Sequence, residues 1–292
     1  MPRVVLLGLA VLDHRIWVDT WPPVSGRTPA TAYVEDLGGG AAVAAATVAR
    51  LGGTAIFAGP RGGDPAGVRV AAALESYGVD TRFMSVAAAG KTAVSSIVIV
   101  PGGERFICAY PGEALHDDPA WAPIAALEGA GAVLVDSRFP RAGQALAAAA
   151  RPAGVPVVMD FSDVDTAETR ALARAATHVV ADEEMARQAG GAGALLERLR
   201  ADGVWGAVTL GARGVVHDGG RVPAFDVAAR DTTGAGDVFH GAFTLSLGEG
   251  CDPEAALRFA SAAAALRCET GGVPDRTAVD RLLAGGRAAR DG

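Results

Sequence analysis

The stretch Asp231-Thr232-Thr233-Gly234-Ala235-Gly236-Asp237 gathers carboxylates, hydroxyls and glycines at a single turn. Val222–Ala228 before it reads as a strand, and Val238-Phe239-His240-Gly241-Ala242-Phe243-Thr244-Leu245 after it has an apolar helical pattern. Gly234–Gly236 therefore fall at a helix N-terminus. Unpaired N–H groups and the positive end of the dipole there make a site for a phosphate or a developing anion. Glycine and alanine let the backbone approach the ligand closely, and Asp237 sets a carboxylate beside it. The helix dipole alone favours an acid in a first turn. That accounts for Asp237 but not for the threonines and glycines crowded around it.

Two further glycine-rich turns leave more than one reading open. Leu37-Gly38-Gly39-Gly40-Ala41-Ala42 leads into a helix through Leu51. It is either a second bare helix N-terminus or ordinary punctuation before alanines that pack closely on a sheet. Thr209-Leu210-Gly211-Ala212-Arg213-Gly214 follows a strand. A hydroxyl and loop amides there could cradle phosphate oxygens, or the segment simply turns a hairpin from Val208 to Val215.

Other chemistries are excluded. Ser85-Val86-Ala87-Ala88-Ala89-Gly90-Lys91-Thr92 comes close to a phosphate-binding P-loop, but Ser85 stands where glycine is required. Thr92 also leads into the alternating, strand-like Val94, Ser96, Val98 and Val100 rather than a helix. No pair among His14, His116, His178, His217 and His240 has metal-ligand spacing. There is no G-x-S-x-G elbow, and no cysteine has a nearby histidine. His240, one turn beyond Asp237, either orients that acid or is simply packed.

Short Val/Ile/Leu runs alternating with alanine-rich helical stretches must position these turns. Val4–Leu9, Thr54–Ala58, Ala132–Asp136, Val155–Asp160, Thr177–Ala181 and Gly206–Leu210 read as buried strands of a doubly wound, mostly parallel α/β sheet. Asp64-Pro65, Asp252-Pro253 and Pro274-Asp275 open helices. Residues from about 14 to 37 and 92 to 110 instead alternate apolar and polar around turns at Pro22-Pro23 and Pro101-Gly102-Gly103. They read as a small antiparallel β-sheet lid over the strand ends where open α/β folds bind ligands. No linker interrupts the pattern, so residues 1–292 read as one domain with this lid.

Composition agrees. Half of the 292 residues are hydrophobic, which excludes disorder, and a net charge of -7 argues against a nucleic-acid partner. No apolar run reaches the ~18 residues of a membrane span. Val4–Leu12 is followed at once by Asp13 and His14, and reads as a buried strand rather than a signal peptide. The odd, scattered Cys108, Cys251 and Cys268 fit a reducing cytoplasm. Lys91 is the only lysine among 26 basic residues, so any phosphate must be held without a loop lysine.

DTTGAGDVFHGAF, the Gly-Gly-helix segment at Gly39 and the strand–T-x-G-x-x-G segment at Thr209 together resemble the ribokinase-like (PfkB) carbohydrate kinases. Asp13 after the first strand and Gly103-Glu104-Arg105 in the lid match too, and the likeness covers the whole chain in order. It implies transfer of the γ-phosphate of ATP, with Mg²⁺, to a sugar hydroxyl. Asp237 would be the base, and Gly234, Ala235 and Gly236 the anion hole. Asp13, Gly39 and Gly40 would hold the sugar. Thr209, Gly211 and Gly214 would border the nucleotide phosphates, with Gly271 on the adenine side. Asp231 and Thr233 fall where many relatives place a monovalent cation such as K⁺.

The likeness has departures. Val43 replaces an asparagine in the helix after the glycines. The N-x-x-E element that organises Mg²⁺ reads Asp182…Met185 or, shifted by one, Ala181…Glu184; Glu184 is its candidate acid. Within the family, Gly38–Gly40, the turn at Arg27, Gly103 to Pro111, Asp136-x-Arg138 and Arg258-Phe259-Ala260-Ser261 resemble the bacterial sulfofructose kinase branch. Ala109 departs from that branch, which tends to carry asparagine there. That branch implies a primary hydroxyl of a ketohexose-like acceptor, such as 6-deoxy-6-sulfofructose. Arg27 and Arg138 would take its anionic end, since guanidinium offers forked donors; both arginines could equally be solvated surface residues. Ribose, fructose, a 2-keto-3-deoxy sugar acid or a nucleoside are the other family acceptors, and a catalytically silent sugar-binding protein is the non-enzyme alternative. Lid pairing into a homodimer would cover exposed strand edges.

Overall fold

Val4 and Leu6 face one side of the first strand and Val5 and Leu7 the other, and all are fully buried. This explains why the strands read as continuous apolar runs: helices cover both faces of the sheet. The computed structural model describes residues 1–23, 25–162 and 164–285. Val24, within the first expected lid segment, and residues 286–292, within the expected 1–292 span, lie outside the described residues.

In chain order the strands are β1 (Arg3–Leu7), β2 (Val11–Trp17), β3 (Ala32–Gly38), β4 (Thr54–Gly62), β5 (Asp80–Ala87), β6 (Ala93–Ile99) and β7 (Arg105–Tyr110). They continue as β8 (Ala130–Asp136), β9 (Val157–Phe161), β10 (His178–Ala181), β11 (Trp205–Thr209), β12 (Val215–His217) and β13 (Gly220–Val222). Among the described residues, one sheet has the order β13-β12-β11-β10-β9-β8-β1-β4-β5 and a second the order β3-β2-β6-β7. The large sheet is parallel from β5 to β11; only β12 and β13 are antiparallel. Chain order reverses between β8 and β1, the place where a doubly wound sheet opens a crevice at its carboxyl edge.

Helices α1 (Gly40–Arg50), α2 (Pro65–Ser76), α3 (Pro140–Ala150), α4 (Ala167–Ala175), α5 (Glu183–Gln188), α6 (Ala192–Ala201), α7 (Ala235–Gly248), α8 (Pro253–Thr270) and α9 (Arg276–Gly285) cover this sheet. α1, α2, α7, α8 and α9 pack with Val4, Leu6 and Phe57 on one face. α3 to α6 pack with Val5, Leu7 and Met159 on the other. The alanine surplus lets helices approach: a Cβ added at Gly241 of α7 would stand 2.6 Å from the Ala44 carbonyl oxygen of α1. Asp64 caps α2 by accepting from Gly67 N at 3.0 Å, and Asp252 caps α8 in the same way through Ala255 N. None of the described helices is long and apolar enough to cross a membrane.

The small sheet is the lid, and its parallel β2–β6 pair makes it mixed rather than purely antiparallel. Thr92 leads directly into β6, so the Lys91 turn is no P-loop. The expected strand over Val222–Ala228 ends at Val222. Pro223 has no N–H to continue a ladder, and the chain beyond is anchored to α8, with Arg230 N and Asp231 N both donating to Cys268 O.

Candidate active site

The carboxyl ends of the central strands and the underside of the lid enclose a cleft of about 410 Å³. From β1 and its neighbours come Leu9, Asp136, Ser137, Arg138, Asp160, Asp182 and Thr209. The turn into α7 contributes Thr232, Thr233, Gly234, Gly236 and Asp237, and α1 its glycine start, Gly39 and Gly40. The lid register sets Asp13 of β2 opposite Ser95 of β6, and Ser95 opposite Ala109 of β7. All three line the cleft in one row.

Gly234 takes the left-handed conformation, φ 73°, that turns the chain into α7. The starts of α7 (Gly234, Gly236) and of α1 (Gly39, Gly40) both line the cleft, and a helix leaves its first four N–H groups without an intrahelical acceptor. Gly39, φ 91°, is confined more tightly: a Cβ there would stand 2.3 Å from the Leu9 carbonyl oxygen. Where a Gly40 Cβ would sit, Asp160 Oδ2 is 3.1 Å away and Asp237 Oδ1 3.7 Å. The two helix starts and these acids thus converge.

Asp136, 3% exposed, ties together the turns after β1 and β8 and the start of α1. Its carboxylate accepts from Leu9 N at 2.7 Å, Arg138 N at 3.0 Å and Ala41 N at 3.4 Å. Burial raises its pKa to about 6, against the lowering by these amides. Burial also raises Asp13, to about 7, helped by the negative charge of Asp237 and opposed by the Ser95 hydroxyl. His240, 4% exposed, donates through Nδ1 to Gly236 O at 2.7 Å, lies 3.2 Å through Nε2 from Val180 O and stands 3.5 Å from Asp160 Oδ2. It therefore braces the glycine turn against β10 rather than serving a metal.

A pair of amide-lined helix starts, a carboxylate at one of them and a lid is an arrangement for moving a phosphoryl group onto a hydroxyl. A match to the pfkB family carbohydrate kinases spans residues 1–277. The chain belongs to that family.

As a pfkB member it is an ATP-dependent carbohydrate kinase. It is 33% identical over 298 residues to the ATP-dependent ribose-1-phosphate kinase of Halopiger xanaduensis, covering 97% of this chain and 98% of that one. It is 28% identical over 296 residues to the ribokinase of Bacillus subtilis, covering 97% and 100%. A solved structure of a protein from Agrobacterium tumefaciens superposes with a TM-score of 0.92 at 32% identity, covering 97% of both chains.

Not every residue expected in the kinase site is in the cleft. Asp13, Gly39, Gly40, Arg138, Thr209, Thr233, Gly234, Gly236 and Asp237 line it; Ala235 is the first residue of α7. Gly211 and Gly214 sit in the hairpin turn between β11 and β12, so Thr209 alone of that segment reaches the cleft. Arg27 is exposed in the β2–β3 connection, outside the lining. Glu184 faces solvent on α5. Its bonds to Arg187, then Gln188, lower its pKa to about 2. Gly271 ends α8, away from the lining, with φ 74°.

The kinase cleft also contains groups the sequence reading did not assign. Asp160 and Asp182 border it, and Arg105 reaches from the lid to Thr232 Oγ1 at 2.5 Å. Arg105 sits in the Gly-Glu-Arg turn noted from sequence, but only the fold shows that it bridges lid and glycine turn.

Proposed function

We propose that this kinase transfers the γ-phosphate of ATP to a primary hydroxyl of a ketohexose-like sugar bearing an anionic group, of the 6-deoxy-6-sulfofructose type. Asp237 takes the hydroxyl proton, and the Gly234–Gly236 amides stabilise the charge on the moving phosphoryl. Asp13 and the Gly39–Gly40 turn hold sugar hydroxyls, while Thr209 borders the nucleotide. The oxygens of Asp160 and Asp182 suit a hard cation such as Mg²⁺. No group of three or more His, Cys, Asp or Glu among the described residues could hold a metal ion. Mg²⁺ is therefore held chiefly by the nucleotide, where it neutralises phosphate charge.

The observation that carries the choice of acceptor is Arg138. Its backbone is tied to Asp136, which also fixes Leu9 beneath Gly39, and Arg138 lines the cleft beside them. A charge-assisted contact from its guanidinium contributes about 1.5–3 kcal/mol, or roughly 10- to 100-fold in binding. A panel of ribose, fructose, fructose 6-phosphate, 6-deoxy-6-sulfofructose and 2-keto-3-deoxygluconate, read by ADP release, tests it. The highest kcat/KM is expected on an anionic ketohexose. Arg138→Ala is expected to cost that acceptor about 10- to 100-fold and a neutral sugar far less. Equal losses on both would defeat the reading. The ribokinase relatives favour ribose instead, and a neutral pentose heading the panel would establish that alternative.

We also propose a homodimer formed through the lid, working in the cytoplasm, where free thiols persist. Edge strands β3 and β7 carry exposed Tyr33, Val34, Phe106, Ile107 and Tyr110, an apolar surface of the kind that covers a partner. Light scattering is expected to read a dimer that Phe106→Asp converts to monomer. A wild-type monomer at micromolar concentration refutes the pairing.

A further inference from the structure

The family resemblance places a monovalent cation at Asp231 and Thr233, where an alkali ion would gather the carboxylate and nearby carbonyl oxygens. In this chain guanidinium groups already hold those oxygens. Arg15 of β2, 4% exposed, pairs with Asp231, 5% exposed, and donates from Nη1 to Asp36 Oδ2 at 3.0 Å. Arg267 of α8, 5% exposed, donates from Nε to Thr233 O at 2.9 Å and from Nη1 to Gly271 O. Its Nη2 lies 3.9 Å from Asp36 Oδ2 and 3.5 Å from where a Gly234 Cβ would stand. Asp231 itself accepts from Thr233 N at 2.9 Å. The residues do not fit a bound alkali ion.

The electrostatics point the same way. Burial, and then the like charge of Arg267, push the Arg15 pKa down, while Asp36 pushes it back up. The two guanidinium groups already offset the Asp231 and Asp36 carboxylates, which leaves no uncompensated negative charge there for a further cation to neutralise. Guanidinium suits the role: it is weakly hydrated, always charged and holds its donors in a rigid fork.

We propose that Arg267, backed by Arg15, is a built-in cation that positions the Thr233–Gly234 turn, so that this kinase needs no monovalent metal ion. The proposal rests on reading the α7 turn as the phosphoryl site, but its first test needs no turnover. Thermal melting of the wild type in KCl or in N-methylglucamine chloride is expected to give the same midpoint, because an ion that does not bind the native state cannot stabilise it. Stabilisation specific to K⁺ would overturn the proposal.

The second test is kinetic, at constant ionic strength. Wild-type kcat is expected to be flat in K⁺, and saturable activation by K⁺ would overturn the proposal. Arg267→Ala is expected to lose about 10²-fold in kcat, the cost of misplacing an oxyanion-hole donor, with little change in sugar KM. Arg267→Lys, or added guanidinium or K⁺, is expected to restore part of that loss. Full kcat in Arg267→Ala, or a loss that no cation restores, would count against it. If no acceptor turns over, the assignment of the α7 turn as the phosphoryl site fails while the melting result still stands.

Discussion

Asp237→Asn is expected to lower kcat by about 10²–10⁴-fold, the range for losing a general base. The substitution keeps the shape of the side chain at the third position of α7 and removes its charge and basicity. Losing the charge–dipole interaction at the helix start costs about 0.3–1 kcal/mol. A collapse of activity is therefore separable from a collapse of structure. ATP binding, read by calorimetry, is expected to hold or tighten, because a negative charge facing the phosphates is gone. ADP release within tenfold of wild type would show that Asp237 is not the base. The same variant carries an internal check. Asp237 is one cause of the raised Asp13 pKa, so Asp13 in Asp237→Asn is expected to titrate at lower pH than in the wild type.

The glycine turn before α7 was legible because everything that forms it is local. Gly234, Ala235, Gly236 and Asp237 are consecutive, and a helix start advertises itself by composition. The parallel sheet was legible for a similar reason, since strands buried on both faces read as unbroken apolar runs. Edge strand β5 was missed because its residues are only partly buried. What stayed hidden are pairs separated along the chain: Asp136 with Leu9, 127 residues apart, and Arg267 with Thr233, 34 apart. No local pattern marks Arg267 as different from the arginines that face solvent. Its burial on α8 beside the glycine turn is what gives it a role. Arg27 shows the converse, a position suggested by likeness alone whose side chain lies outside the cleft.

Asp13→Asn is expected to make the protein more stable and a much worse kinase. In the native state burial pushes the Asp13 carboxyl up to about 7, from the ordinary 3.8 of an exposed aspartate. A raised carboxyl pKa means the native state holds a proton that the unfolded chain has released. Between about pH 4 and 7 stability therefore falls as pH rises, and above 7 the full cost of a buried charge is present. Each pKa unit is 1.36 kcal/mol, which sets that cost at about 4 kcal/mol. For a chain of this size this corresponds to roughly 8–16 °C in Tm. Asparagine removes the charge, so its Tm at pH 8 is expected to exceed wild type, with the gap closing as pH falls toward 5. Asp136, raised to about 6, adds a slope of the same sign at lower pH and remains in the variant. Activity is expected to move the other way, because in the proposed site the charged carboxylate accepts the sugar hydroxyls. Asp13→Asn is expected to lose about 10²-fold in kcat/KM, as a site does when a charged hydrogen-bond partner is removed. The wild-type kcat/KM is expected to fall as pH drops below 7 and Asp13 takes up its proton. Scanning calorimetry of both proteins at pH 8 decides the first half: an equal or lower Tm in Asp13→Asn would mean that the buried charge is compensated. The pH profile of kcat/KM decides the second, since a flat profile down to pH 5.5 would release Asp13 from the sugar site. Together the two readouts measure how much folding stability this kinase gives up to hold a charged acid beneath its lid.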